Sequence, residues 1–143
     1  MTVPSAKVIV SVDLVAAASR SEDIPPDLTA DDLQRASDRY ERFLLLCARY
    51  PSQELAPTHD IDLMWHLHML HPRAYYNDCT RLFGKILDHD GGFGMSDDER
   101  PALEKTFAET AELWDSEFGE AYCESVSPKS CRSLKSCRSR LPG

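Results

Sequence analysis

Glycine is scarce in this chain: the 143 residues include only six, and they form neither a Gly-x-x-x-x-Gly-Lys phosphate loop nor a Gly-x-Ser-x-Gly elbow. Phosphate-loop nucleotide chemistry and serine-hydrolase chemistry of the elbow type are therefore disfavoured. No apolar run approaches the ~18 residues that a membrane-spanning helix requires. Neither Cys-x-x-Cys nor His-Glu-x-x-His occurs, so the most specific zinc patterns are absent. Positive charge is also short, with 16 Lys and Arg against 24 Asp and Glu for a formal net charge of −8. Such a field repels nucleic acid and anionic membrane surfaces.

What remains is ordinary globular material. Hydrophobic residues make up 42% and charged residues 28%, and the length suits one domain with a sizeable core. The five cysteines (Cys47, Cys79, Cys123, Cys131 and Cys137) are an odd number in a chain with a real core. A secreted disulfide framework is thus the weaker reading. Val8–Ala18 loosely imitates a signal peptide, but Asp13 falls inside it, and a signal's apolar region seldom carries a charge. The expectation is a cytoplasmic protein whose first core element lies at 8–18. The alternation of Val8, Val10, Val12 and Leu14 allows a strand there, whereas the Ala-rich second half favours a helix.

Helical spacing dominates the rest. Thr29 and Asp32 form a capping-box pattern ahead of Leu33, Ala36, Tyr40, Phe43, Leu44 and Cys47, which predicts an amphipathic helix over 30–49 closed by Pro51. A second helix is predicted at about 59–71, and Pro72 suits the first position of a third that runs to about Leu87. Asp88–Gly94 reads as a glycine-rich turn or loop, Gly91–Gly94 included. Ser96 with Glu99 then opens a long last helix whose apolar positions run from Leu103 through Trp114 and Phe118 to Tyr122. The expected fold is all-α, a single compact domain of four to five helices over 1–124, followed by a flexible basic tail over 125–143. The charge divides along the same line. Residues 1–124 hold every acidic side chain and carry −13, whereas the tail carries +5. The objection to nucleic acid therefore applies to the folded body, and the tail is suited to touching anionic surfaces or that acidic body. Cys131 and Cys137, each beside an arginine, offer an alternative in which somewhat acidic, exposed thiols take part in redox exchange or soft-metal capture.

All five histidines (His59, His66, His68, His71 and His89) lie within residues 59–89, together with Asp60, Asp62, Asp88 and Asp90. Histidine and carboxylate are the usual ligands of zinc, iron, manganese or copper. On a helix turning about 100° per residue, His59, Asp62 and His66 fall within roughly 60° of one another, whereas His68 lies about 160° from His66. The economical metal site is Asp62 and His66, completed by His89 or Asp90 from the glycine-rich segment. His59 and Cys79 stand in reserve, although Cys79 is more simply a packed core thiol. In a metal-dependent enzyme acting on an unidentified small molecule, His68 or Asp60 would carry protons. The competing reading is a structural polar cluster in a protein-interaction module, with Trp65, His68, His71 and Tyr76 as its partner surface. Spacing alone leaves both open.

The run Pro57-Thr-His-Asp-Ile-Asp-Leu-Met-Trp-His-Leu-His-Met-Leu-His-Pro72, followed by Tyr75-Tyr76, Asp78-Cys79, Gly84 and His89-Asp90, resembles the signature of the glycine-rich domain-containing protein-like family of plants, fungi and bacteria. Val12-Asp-Leu-Val-Ala-Ala17 and Arg39-Tyr-Glu-Arg-Phe-Leu44 extend the resemblance, so that it covers most of residues 8–94. Larger family members carry glycine-rich tails and sometimes RNA-recognition modules. This chain has neither, so RNA binding is not implied for it. The resemblance does imply a polar site built on Asp62, Trp65, His66, His68, Pro72, Tyr75 and His89.

Overall fold

A computed structural model describes residues 9–123 and 135–142. Among the described residues five helices occur in chain order: α1 (Leu14–Ser19), α2 (Ala30–Arg49), α3 (His59–Met69), α4 (Pro72–Phe83) and α5 (Arg100–Phe118). Two four-residue strands, β1 (Asp88–Gly91) and β2 (Cys137–Arg140), form one antiparallel ladder. The domain is mostly helical, as the sequence predicts.

Local chemistry sets most boundaries. The charge that argued against a signal peptide proves to be a cap: Asp13 Oδ1 accepts from Ala16 N–H at 3.0 Å and starts α1. For α2, Thr29 Oγ1 accepts from Asp32 N–H, and Asp32 Oδ2 accepts from Thr29 N–H, so the capping box closes in both directions. Leu33, Ala36, Tyr40, Phe43, Leu44 and Cys47 then line the buried face as expected. Leu70 and His71 separate α3 from α4, and Pro72 occupies the first turn of α4.

Three boundaries differ from the sequence reading. Helix α4 stops at Phe83 rather than Leu87, because Gly84 takes the left-handed conformation (φ +77°). Helix α5 begins at Arg100: Ser96 Oγ accepts from Glu99 N–H as the box requires, but the Glu99 carboxylate reaches back to Gly94 N–H instead of to Ser96 N–H, so the box is half formed. It also ends at Phe118, so Tyr122 enters the core from the segment beyond Gly119.

The fourth difference concerns the tail. Residues 124–134 and 143 lie outside the described residues, Cys131 among them. The described part is packed: β2 pairs with β1, placing Gly91 opposite Cys137, His89 opposite Ser139 and Asp88 opposite Arg140. Neither four-residue segment is stable as a strand alone, because a short ladder forms only when its distant partner arrives. The expected attraction between basic tail and acidic body is visible, with Arg138 paired to Asp90 (2.7 Å) and Glu54 (2.9 Å). Cys123 is disulfide-bonded, whereas Cys47, Cys79 and Cys137 are free thiols.

Helix α3 sits at the centre, packed chiefly on α2 and also on α1 and α4. Ile61, Met64, Trp65 and Leu67 are buried, and a helix covered on most sides loses the one-sided polarity of a surface helix. The connector that leads into it is buried as well, so its backbone needs partners inside the protein. Leu55 exchanges two hydrogen bonds with Ser139 of β2. Ala56 N–H donates to Thr110 Oγ1, and Ala56 C=O accepts from the Tyr122 hydroxyl.

Two glycines with positive φ provide a test of packing against backbone strain. A Cβ on Gly94 would lie 2.4 Å from Leu103 Cβ, whereas one on Gly84 would meet nothing within 4 Å. Gly84→Ala is expected to cost about 1 kcal/mol from strain alone. Gly94→Ala adds overpacking and should cost at least about 2–3 kcal/mol. Urea unfolding of both variants measures the difference; equal costs would contradict it.

Candidate metal centre

The first turn of α3 places Asp62 where the positive end of the helix dipole favours a carboxylate. The residue is only 3% exposed, so its charge must be matched within the protein. His66 stands one turn further on, on the same side of the helix, and its side chain remains half exposed. His89 arrives from β1, its ring set edge-on to Trp65 (4.5 Å between centroids) and to His66 (4.7 Å). Together they form a tight cluster around both carboxylate oxygens: His89 Nε2 to Asp62 Oδ1 is 2.9 Å, His66 Nε2 to His89 Nε2 is 3.1 Å, and His66 Nε2 to Asp62 Oδ2 is 3.3 Å.

That arrangement is awkward for protons alone. A neutral imidazole has one N–H, and two Nε2 atoms facing each other need one donor and one acceptor while Asp62 competes for the same hydrogen. A cation accepts all three lone pairs together. Ligand bonds of about 2.0–2.1 Å at tetrahedral angles place neighbouring donor atoms about 3.3 Å apart. The His66–His89 separation (3.1 Å) and the His89–Asp62 Oδ1 separation (2.9 Å) lie a little inside that value, while His66 meets the other carboxylate oxygen, Oδ2, at 3.3 Å.

Electrostatics favour the deprotonated carboxylate. Burial by itself would raise the Asp62 carboxyl, but the His89 hydrogen bond, the His66 and His89 charges and the Cys137 thiol outweigh it and hold it below the usual range. Burial, opposed by Asp62, pushes the His66 imidazole below its ordinary value, with His89 and Lys135 adding repulsion. An imidazole that stays neutral is the form that binds metals.

The sequence reading singled out Asp62, His66 and His89, and the structure places their side chains side by side. Asp90 is instead engaged by Arg138. His59, Cys79, His68 and Asp60 make their contacts elsewhere. His59 is exposed beside a different cavity, and Cys79 is buried in the core. Asp60 accepts from Arg39 Nε (2.8 Å) and from Thr58 Oγ1 (2.5 Å), which ties α3 to α2. His68 is fully buried, with Nδ1 2.7 Å from the Tyr40 hydroxyl and Nε2 2.8 Å from Asp78 Oδ2. Asp78 also accepts from Ser11 N–H, Ser11 Oγ and Arg81, so this network fastens the segment before α1 to α4. Trp65 is also fully buried, donating to the Tyr75 hydroxyl, which in turn donates to Leu87 C=O. Neither Trp65 nor His68 can therefore contribute to a partner surface.

Sequence reasoning singled out the Cys137 thiol but placed neither it nor Lys135 beside Asp62. Cys137 Sγ–H donates to Asp62 Oδ1 at 3.4 Å, and Lys135 Nζ lies 4.0 Å from Asp62 Oδ2. The expected acidic, exposed thiol is in fact buried, and burial together with the Asp62 charge pushes it well above the ordinary range. The signal was the alternation in Cys137-Arg-Ser-Arg140, which turns two small side chains inward and two arginines outward.

These features define a small helical domain with a half-buried carboxylate–histidine centre at the start of its central helix. The chain belongs to the glycine-rich domain-containing protein-like family, whose pattern matches residues 3–78, taking in Asp62 and His66 and ending before His89. It is similar to Glycine-rich domain-containing protein 1 and Glycine-rich domain-containing protein 2 of Arabidopsis thaliana, 38% identical to each over 97 residues. The match covers 63% of this chain but only 11% and 12% of those proteins. No solved structure matches the chain.

Burial, opposed by Asp78, pushes His68 below its ordinary value, and His66 is lowered too, so the unfolded chain binds more protons. Their contribution to stability is complete above the unfolded value of about 6.5 and falls away as the pH drops below it. Metal-free protein should therefore lose unfolding free energy in urea between pH 7 and pH 5, and His68→Gln should flatten that loss. A flat profile in the unsubstituted protein would contradict the assignment. Asp78→Asn breaks a buried ionic network and should cost about 3 kcal/mol at pH 7.

Proposed function

We propose that this domain binds one divalent transition-metal ion through Asp62, His66 and His89. The observation that carries the reading is the convergence of two imidazole Nε2 atoms and a buried carboxylate at 2.9–3.3 Å from one another. A donor set of two nitrogens and one oxygen suits zinc, iron, manganese or copper. The acidic body makes nucleic acid and membranes unfavourable partners. No helix among the described residues is long and apolar enough to cross a membrane.

A cavity of about 410 Å³ beside His66 favours a second reading, in which the ion acts on a ligand. Ile24, Leu63, Leu67 and Met69 give it an apolar lining, with Ser21 and Asp23 at one side, which suits a small, largely apolar molecule. With three protein ligands the ion keeps an open position for water or substrate. His68 and Asp60 take no proton-carrying part in this reading, since their hydrogen bonds are committed to the scaffold.

Elemental analysis of untagged protein, with titration calorimetry of the chelator-treated form, tests the proposal. One ion per chain is expected, and a hundredfold excess of zinc over Kd should stabilise the fold by about 2.7 kcal/mol. His66→Ala should keep the circular dichroism spectrum and weaken binding more than about tenfold, or 1.4 kcal/mol. Metal-free protein whose melting is indifferent to zinc and to chelator would refute metal binding.

A further inference from the structure

We infer that Cys137 is a fourth ligand of this centre, so that a bound ion fastens the C-terminal strand to the helical body. The inference rests on the Asp62–His66–His89 reading. The backbone of Cys137 is held in place without any ion. It pairs with Gly91 in the β1–β2 ladder, and Gly92 N–H donates to Ser136 C=O beside it. Two residues further on, Ser139 is bonded to Leu55. Arg138 pairs with Asp90 and Glu54 and stacks 3.9 Å above the Phe93 ring. These contacts aim a buried side chain at the one buried carboxylate of the centre.

The sulfur lies 3.4 Å from Asp62 Oδ1. A zinc ion with Zn–S of about 2.3 Å and Zn–O of about 2.0 Å separates those two atoms by roughly 3.5 Å at a tetrahedral angle. The thiol touches the centre through Asp62 alone and is not one of the three mutually close donors, so completing the set requires it to turn from Asp62 toward the two ring nitrogens. On binding, the S–H proton is released to solvent and the sulfur–metal bond replaces it. The carboxylate and thiolate then balance the charge of a divalent ion, and the ion displaces Lys135, a like charge 4.0 Å from Asp62 Oδ2, from that contact. Two imidazoles, one carboxylate and one thiolate leave no open position, which is the structural kind of zinc site. The thiolate also shifts preference toward zinc and away from manganese.

Cobalt(II) is the probe, since thiolate ligation gives it intense near-ultraviolet charge-transfer absorption that nitrogen and oxygen ligands do not. The full chain, stripped of metal and titrated with cobalt(II), should show that band together with tetrahedral visible bands. Cys137→Ser should lose the ultraviolet band, keep cobalt binding at about tenfold or more weaker affinity, and retain the circular dichroism spectrum. Cobalt bound to the unsubstituted chain without the ultraviolet band overturns the inference and leaves the three-ligand centre standing. This arm does not depend on how the variant folds. A band that survives in Cys137→Ser also overturns it, because another thiol is then the ligand. Failure of both cobalt and zinc to bind overturns the three-ligand reading, and this inference with it.

Discussion

Burial of α3 on most sides is the constraint from which the rest of this structure follows. A central helix of Ile61, Met64, Trp65 and Leu67 supplies much of the core, but it also carries Asp62 and His68 inward, and neither tolerates burial without partners. Each is answered from a different part of the chain. His68 is held between Tyr40 of α2 and Asp78 of α4, while Asp62 is met by His66, by His89 of β1 and by Cys137 of β2. The polar groups thus decide which elements surround the helix, and the apolar ones supply the driving force.

Arg39 performs the same service at the other end of the connector. Its guanidinium is almost wholly buried, donates to Asp60, Thr58 and Tyr122 C=O, and stands 5.1 Å from the centroid of the Trp114 ring. One side chain of α2 therefore fixes the start of α3 and the segment after α5. With α3 immobilised, Asp62 and His66 are presented on a rigid element, as a metal centre requires. The third member of the cluster, His89, comes from β1, whose position is set by β2. Ser139 faces His89 across the ladder and is itself bonded to Leu55, so the C-terminal strand and the entry to α3 share one set of hydrogen bonds.

The helices were largely legible in the sequence because their signals are local. Thr29 and Asp32 cap α2 within one turn, and the apolar spacing from Leu33 to Cys47 requires no knowledge of the partner surface. The pairing of Asp62 with His66 was legible for the same reason, since a helix of known pitch stacks residues four apart. Gly84 and Glu99 were misread because their effects depend on a left-handed turn and on a contact back to Gly94, which periodicity does not report. His68 was misassigned for a further reason. A histidine on an otherwise apolar face looks reactive in sequence, whereas inside the fold its two nitrogens are already spent on Tyr40 and Asp78.

The sequence by itself determined a predominantly helical domain, the family resemblance, the acidic body with its basic tail, and a histidine-rich segment as the chemical centre. Only the tertiary structure decided which histidines meet, because His89 lies 23 residues from His66 and reaches it through a strand that exists only when paired. It alone placed Cys137 beside Asp62, across 75 positions of chain, and brought a tail expected to be flexible against the centre. The physical reason is the same in both cases. Helix propensity and capping act within a turn or two, whereas strand pairing and the compensation of a buried charge draw on whatever the folded chain brings within reach.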